Sequence, residues 1–368
     1  MTQRYLGHKS LQGKFIVEKI LRDKKNKDME VGDLFSGTGE ISLLLKKMDC
    51  RVHANDYLKQ CELQAAVKLF LNEPPLFKGI GGSSNFYKQS SLFPFRYAEV
   101  LDYLLNLPGI EGFIYREYSP EGSLNNSGVE RKYFTNENAK KIDSIRLKIK
   151  EWKDQHRITS LEHALLLVNL IEAVNDVANI SGTYGCFLKK FEKNALKPLR
   201  LTPIKFIQGR KDHTVTNLDV CEAAEKTTAS IIYLDPPFTK RQYITYYHIP
   251  ETIALENEPA VSGKTGIPYW SEKASEFCYK SKALNSLKKL IDILWPREIY
   301  LSYSSDGHMT KDEILSLLNS FGETEVIEYN QKRFKSNNHN NHEELKEYLF
   351  HLKGNINGQY LMAKNNTK

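Results

Sequence analysis

Ile231-Ile232-Tyr233-Leu234-Asp235-Pro236-Pro237-Phe238 is the stretch from which the rest of the chain is read. Four residues suited to a buried strand precede a carboxylate and two prolines, which lack the N–H needed to continue a ladder. The chain therefore leaves its sheet at Asp235, at a C-terminal strand end, where open α/β sheets bind ligands. Pro236 and Pro237 restrict φ and hold their carbonyls in a fixed direction, and Phe238 offers a flat face for stacking. A carboxylate and a backbone carbonyl beside an aromatic ring can accept hydrogen bonds from an exocyclic NH2 and orient its nitrogen toward an electrophile. A lone D-P-P reads equally well as a strand with a proline turn, so a second element must separate the two readings.

That element is Val31-Gly32-Asp33-Leu34-Phe35-Ser36-Gly37-Thr38-Gly39-Glu40, which ends a strand and turns through glycines into the helical run Ile41 to Lys47. The glycines let the backbone approach a ligand at the mouth of the helix. With one glycine pair the dinucleotide fingerprint is incomplete, and the G-K-[ST] ending of a triphosphate loop is absent. Together the two elements resemble the DNA adenine-specific (N6) amino-methyltransferases of the D12-like group that use S-adenosylmethionine. The resemblance implies that Asp33, Phe35, Ser36, Gly37 and Gly39 lie against the methionine part of the cofactor. It also implies that Asp235, Pro236, Pro237 and Phe238 receive the target amine.

With 368 residues the chain can build one large α/β core carrying an inserted lobe, or two domains. Lys and Arg number 52 against 45 Asp and Glu, a formal charge of +7 that fits an anionic polymer partner and fits solubility equally well. No apolar run reaches membrane length and the N-terminus lacks a leader pattern, so the expectation is a cytoplasmic protein without a membrane segment. Cys50, Cys61, Cys186, Cys221 and Cys278 are scattered and odd in number, predicting reduced thiols and no metal site.

Arg51 to Tyr57 reads as the second strand and its exit, and Asp56 lies about 20 residues past the glycine loop, the distance at which an acid meets ribose hydroxyls. The N-terminal Tyr5, Gly7 and Lys9 match the arm that the family places over the cofactor. Val215 to Asp219 predicts a strand returning to the cofactor edge, and the resemblance places Asp219 near the adenine amino group of the cofactor, with Asn217 supporting the same loop.

Between Asn72 and Pro203 the strand and helix alternation stops: Pro74-Pro75 and Gly81 to Ser84 open a loop-rich region that reads as an inserted, mostly helical lobe. Arg116, Tyr118, Arg131, Lys132 and Tyr133 interleave cations with aromatics, as phosphate binding and base stacking require, and Lys189-Lys190 adds a cationic edge. Thr135 and Asn138 mark a helix start, and Ser160 to Ile180 predicts a helix with an apolar stripe through Leu161, Leu165, Val168 and Ile171. After the D-P-P-F turn, Thr239 to Thr252 is similar to a segment of the adenine methylases, with Arg241, Gln242, Tyr243, Tyr247, His248, Glu251 and Thr252 in register. Thr239 and Tyr246 stand where that segment carries asparagines. Arg241 and Tyr243 suit contacts to a flipped strand, while His248 reads as a packed histidine, since an amine that attacks first needs no general base. Gly263-Lys264-Thr265-Gly266 lacks the upstream glycine of a phosphate loop and resembles a family loop near the substrate.

The expected fold is α/β, a Rossmann-like methyltransferase sheet with an inserted helical recognition region, divided as 1–71, 72–203 and 204–368. The order of cofactor loop, inserted region and catalytic turn resembles the alpha arrangement among DNA amino-methyltransferases. The function this implies is methyl transfer from S-adenosylmethionine to adenine N6 in a specific double-stranded DNA sequence, by a monomer. A modification role beside a cognate restriction endonuclease is compatible with it. Cytosine N4 methylation and a silent DNA-binding subunit remain the alternatives.

Overall fold

The structure is a computed structural model and describes residues 12–22, 29–80, 97–331 and 345–354. Its described strands are β1 (Glu30–Asp33), β2 (Arg51–Asn55), β3 (Thr214–Thr216), β4 (Ile231–Leu234), β5 (Val261–Ser262), β6 (Ile267–Pro268), β7 (Glu298–Ser304), β8 (Thr324–Gln331) and β9 (Leu345–Leu352). Seven form one sheet in the order β3-β2-β1-β4-β7-β9-β8, parallel through β7, with β9 antiparallel to both its neighbours. Every residue of β4 and β7 is buried, and β4 is correspondingly a continuous apolar run.

Strand order reverses at β1: the chain goes outward to β2 and β3 on one side, and β4 returns on the other. Such a switch point opens a crevice beyond the carboxyl ends of the two central strands. The pairing Asp33↔Tyr233 brings the end of β1 level with the penultimate pair of β4, so the glycine loop and the Asp235 turn leave the sheet side by side. Helix Lys280–Leu294 covers this sheet with Ala283, Leu287, Leu290, Ile291 and Leu294, a stripe at i, i+4 and i+7 spacing. Each Leu and Ile among them contributes roughly 1.5–3 kcal/mol when fully buried.

The chain divides into two compact units: Leu58–Gly209 with Tyr243–Glu272, and the sheet unit of the described residues up to Tyr57, Arg210–Gln242 and those from Lys273 onward. The helical unit thus begins before Asn72 and takes back a segment after the Asp235 turn. The reason is visible at Glu251, whose two carboxylate oxygens accept the Lys59 and Gln60 N–H groups at 3.0 Å each, capping helix Lys59–Phe70 from helix His248–Leu255. Helix Ser160–Val177 is buried on almost every face, so the expected stripe is a fully enclosed central helix. It starts in a capping box between Thr159 and Glu162. Thr135 caps helix Asn136–Asp154 through the Asn138 N–H. Gly122 to Gly128, rich in Gly, Asn and Ser, lies in and ends helix Pro120–Ser127, because Ser119 caps it, Pro120 opens it and Gly128 ends it with φ 71°.

Candidate active site at the ends of β1, β2 and β4

The sheet unit assembles the glycine loop with hydrogen bonds from three strand ends. Gly37 and Gly39 have φ of 52° and 78°, the left-handed region that favours glycine, and Gly39 is the N-cap of helix Glu40–Lys47. Ser36 N–H donates to the Asn55 carbonyl at 2.9 Å, Gly39 N–H to the Ser36 carbonyl at 2.8 Å, and Gly37 N–H to the Asp56 carboxylate at 2.9 Å. Phe35 meets Phe277 edge-on, with centroids 5.4 Å apart. The buried Ser36 hydroxyl has no hydrogen-bond partner among the described residues. A buried donor left over inside a loop that only glycines can form suits a polar ligand group.

Asn55 holds these strand ends together, a role sequence reading did not assign it. Its buried amide donates to the Leu34 and Leu218 carbonyls at 3.3 and 3.2 Å, and accepts from Thr216 hydroxyl and Leu218 N–H at 2.8 and 3.1 Å. Two donors and two acceptor sites are therefore all engaged. Asn217 donates to the Asp56 carbonyl at 2.7 Å, which ties the segment before Asp219 to the exit of β2. Asp219 is exposed and caps helix Val220–Lys226, accepting the Cys221 N–H at 2.9 Å.

Asp33 is buried at the end of β1 and accepts the Ser42 hydroxyl at 2.6 Å. Burial pushes its carboxyl up to about 7; the Ser42 bond opposes that rise, and the negative charges of Asp235 and Asp56 add to it. Three carboxylates thus share one electrostatic neighbourhood, which favours a ligand that brings positive charge. Among the described residues no cluster of His, Cys, Asp and Glu could hold a metal ion.

The turn after β4 is braced along its length. Asp235 and Phe238 are half-buried, Pro236 is buried, and the Phe238 ring meets Tyr303 edge-on at 6.0 Å. The Phe238 carbonyl accepts the His308 N–H at 2.8 Å. Gln242 exchanges two bonds with the Ser275 backbone at 3.1 and 2.9 Å, and Cys278 Sγ donates to the Arg241 carbonyl at 3.3 Å. A glutamine in a polar run carries no signal that it will be buried, so its bracing role was not legible. These contacts hold the Asp235 carboxylate and the Phe238 ring on a stiff backbone, which is what amine capture requires.

The profile of the D12 class N6 adenine-specific DNA methyltransferases matches residues 5–317 of this chain. The chain belongs to that family. Type II methyltransferase M.FokI of Planomicrobium okeanokoites is 36% identical over 344 residues, 92% of this chain and 51% of that protein. Type II methyltransferase M.NlaIII of Neisseria lactamica is 35% identical over 304 residues, 83% of each chain. Modification methylase StsI of Streptococcus sanguinis is 30% identical over 355 residues, 95% of this chain and 51% of that protein. The chain thus spans about half the length of two of these relatives and most of the third. Tyr5, Gly7 and Lys9 fall within the matched range and outside the residues the structure describes.

In this D12 chain the cations and aromatics expected at a duplex divide sharply by exposure. Tyr118 and Tyr133 are 0% exposed and Arg131 2%, so none of the three presents a surface to a duplex. The expected duplex contacts of Tyr118, Arg131 and Tyr133 are thus corrected to internal positions, because an alternation of cations and aromatics carries no orientation. Arg116 is exposed and pairs with Glu258 at 3.1 Å; Lys132 pairs with Glu130 at 2.9 Å. Lys189 and Lys190 are exposed. Arg241 is exposed in the sheet unit, and Tyr243 is half-buried with its ring centroid 6.0 Å from that of Tyr247. His248 is buried among the rings of Tyr118, Tyr133 and Tyr184, and its Nδ1 donates to the Thr245 carbonyl at 2.9 Å. Burial lowers its pKa to about 4, so it is neutral at pH 7, in keeping with a packed histidine.

Proposed function

We propose that this chain transfers a methyl group from S-adenosylmethionine to the N6 amino group of adenine in a specific double-stranded DNA sequence, as a modification enzyme. The observation that carries the reading is the juxtaposition at β1 and β4: the positive-φ glycine loop and the Asp235 turn leave adjacent strands of one sheet. Ser36, Gly37, Asp56 and Asp219 would hold the cofactor, with the Ser36 hydroxyl, unpartnered among the described residues, and the positive-φ glycines as the features that fit it. When bound, S-adenosylmethionine supplies an electrophilic methyl group on a positively charged sulfur, and the shared charge of Asp33, Asp56 and Asp235 favours that cation.

The residues of the turn do the orienting. Asp235 and the Pro236 carbonyl accept the two N6 hydrogens and direct the nitrogen lone pair toward the methyl group; Phe238 stacks on the base, which must leave the duplex to be reached. Asp235 acts by orientation and by stabilising the positive charge that develops on nitrogen before the proton leaves. The reading takes the enzyme as a monomer in the cytoplasm, with a cognate restriction endonuclease as its companion in a restriction-modification system.

The test is transfer of a labelled methyl group into duplex DNA without ATP or metal, followed by digestion to nucleosides and mass analysis. N6-methyladenine is expected. N4-methylcytosine overturns the adenine assignment, and no product across diverse duplexes overturns the enzymatic reading in favour of a silent DNA-binding subunit.

A further inference from the structure

From the end of helix Ser160–Val177 to Gly209 the helical unit contains no helix or strand. A stretch of that length without secondary structure is uncommon inside a compact unit, and is usually either a loose linker or a binding element. It is not loose here, because four asparagine side chains pin residues 188–209 at intervals. Asn179, fully buried, donates to the Leu188 carbonyl and accepts the Glu192 N–H, both at 3.0 Å. Asn138 donates to the Lys197 carbonyl and accepts the Leu199 N–H, both at 2.9 Å. Asn169 donates to the Thr202 carbonyl at 2.7 Å, and Asn72 exchanges two bonds with the Gly209 backbone at 3.1 and 3.0 Å. These amides give the strap backbone partners that a helix or strand would otherwise supply. Between the first two anchors the chain makes a tight turn, in which the Ala195 and Leu196 N–H groups meet the Glu192 carbonyl at 3.0 and 3.3 Å.

What the strap presents is cationic and unbalanced. It carries Lys189, Lys190, Lys193, Lys197, Arg200 and Lys205 against one acid, Glu192, and all six cations are exposed. Elsewhere on the helical unit Arg116, Lys132, Lys140, Lys148, Lys150 and Lys153 each meet a carboxylate. None of the six strap cations does so among the described residues, and Lys197 Nζ meets the neutral Asn194 amide at 2.7 Å. Like charges held on a fixed backbone repel one another, and an anionic polymer relieves that repulsion. Leu196 stands among them in the turn, 61% exposed, more than any other leucine among the described residues. A lone surface leucine is ordinary. One fixed between Lys193 and Lys197 matches the succession of charged phosphate and apolar sugar edge along a nucleic-acid strand.

We propose that residues 193–205 form a docking rail for the sugar-phosphate backbone of the substrate duplex, with Lys193, Lys197, Arg200 and Lys205 on phosphates and Leu196 against the sugar between them. The rail supplies affinity that is independent of base sequence, because phosphates and sugars carry no sequence information directly. This rests on duplex DNA being the substrate. It places the grip on the duplex downstream of the Lys189-Lys190 edge and separates that grip from base reading.

The test uses the full chain. Sequencing DNA methylated by the wild type defines the target word, and binding to target and nontarget duplexes is then titrated with salt. Lys193→Ala, Lys197→Ala and Arg200→Ala in one chain should lower the slope of log affinity against log salt by about 2.7, about 0.9 for each lost phosphate, equally on both duplexes. Leu196→Ala should weaken both duplexes several-fold with the slope unchanged. The substituted side chains are exposed and the asparagine bonds reach backbone atoms, so both variants keep the fold. In both, the ratio of target to nontarget affinity and the affinity for S-adenosylmethionine should match the wild type. A charge-matched control, Lys140→Ala, Lys148→Ala and Lys150→Ala in one chain, removes cations that already meet carboxylates and should change the slope by less than one phosphate contact. A strap variant whose slope stays within one phosphate contact of the wild type, or an equal drop in the control, overturns the rail. A loss confined to the target duplex also overturns it, by making these residues base readers. Wild-type affinity in Leu196→Ala overturns the sugar contact. Methyl transfer by the wild type survives each of these results, whereas a wild type that neither binds nor methylates duplex DNA overturns both the rail and the reading it rests on.

Discussion

The two regions that carry this chain's most conspicuous residues differ in what those residues face. At the ends of β1, β2 and β4, Asp56, Asp235 and Phe238 are half-buried, on backbone braced by Asn55, Gln242 and His308. In the helical unit, Tyr118, Arg131 and Tyr133 carry the chemistry of a nucleic-acid surface and are buried, holding another loop in place. A motif that ends a buried strand has its direction set by the sheet. An alternation of cations and aromatics along a helix and its loops has none, and the same groups serve either as contacts or as an internal clamp.

The comparison breaks most visibly at Arg131. If it is internal, Arg131→Ala should destabilise the protein by about 3–5 kcal/mol in chemical denaturation, because Glu117 and two turn carbonyls lose their buried partner. A normal denaturation midpoint with weakened binding to every duplex would return Arg131 to the surface. Asp235→Ala should do the opposite, leaving stability and cofactor affinity near the wild type while single-turnover methylation falls on the order of 10²- to 10³-fold. Near-normal turnover in that variant would remove Asp235 from the chemistry.

Asp33 sharpens the contrast from beneath the site. Its folded-state pKa of about 7 lies above the ordinary value of 3.8, so the folded protein holds the extra proton between those limits. Stability should therefore fall as pH rises from about 4 to about 7, with a slope of up to roughly 1.4 kcal/mol per pH unit, and level off above that. Denaturation of Asp33→Asn across this range should lack that component; an identical pH profile would mean that Asp33 is not the group titrating there. The smallest effects belong to Lys189→Ala and Lys190→Ala, exposed side chains whose loss should leave stability within about 0.5 kcal/mol. Each should lower the salt slope of duplex binding by about 1 if it meets a phosphate. An unchanged slope in both would place the duplex elsewhere on the unit.

Much of the sheet unit was legible because its signals are local. Val220–Lys226 forms a helix, Glu325 to Tyr329 and Glu347 to Leu352 lie in β8 and β9, and Ile299 to Ser304 lies in β7 beside β4. The helical unit was legible as a helical interruption but not in its extent. The bonds from Lys59 and Gln60 to Glu251 join residues 192 and 191 positions apart, and no local pattern announces them.

By itself the sequence determined the identity and order of the chemical elements: a glycine turn after one buried strand, a carboxylate and two prolines after another, and a long helical segment between them. Those depend on φ preferences, missing N–H groups and apolar periodicity, which act over a few residues. Only the tertiary structure decided that β1 and β4 are neighbours, that Asn55 joins three strand ends, and that Arg131 faces inward to the Gly263–Gly266 turn. A guanidinium is equally soluble at the surface and equally satisfied inside when a carboxylate and carbonyls meet its donors; which of the two occurs depends on partners more than a hundred residues away, brought together only when the unit folds.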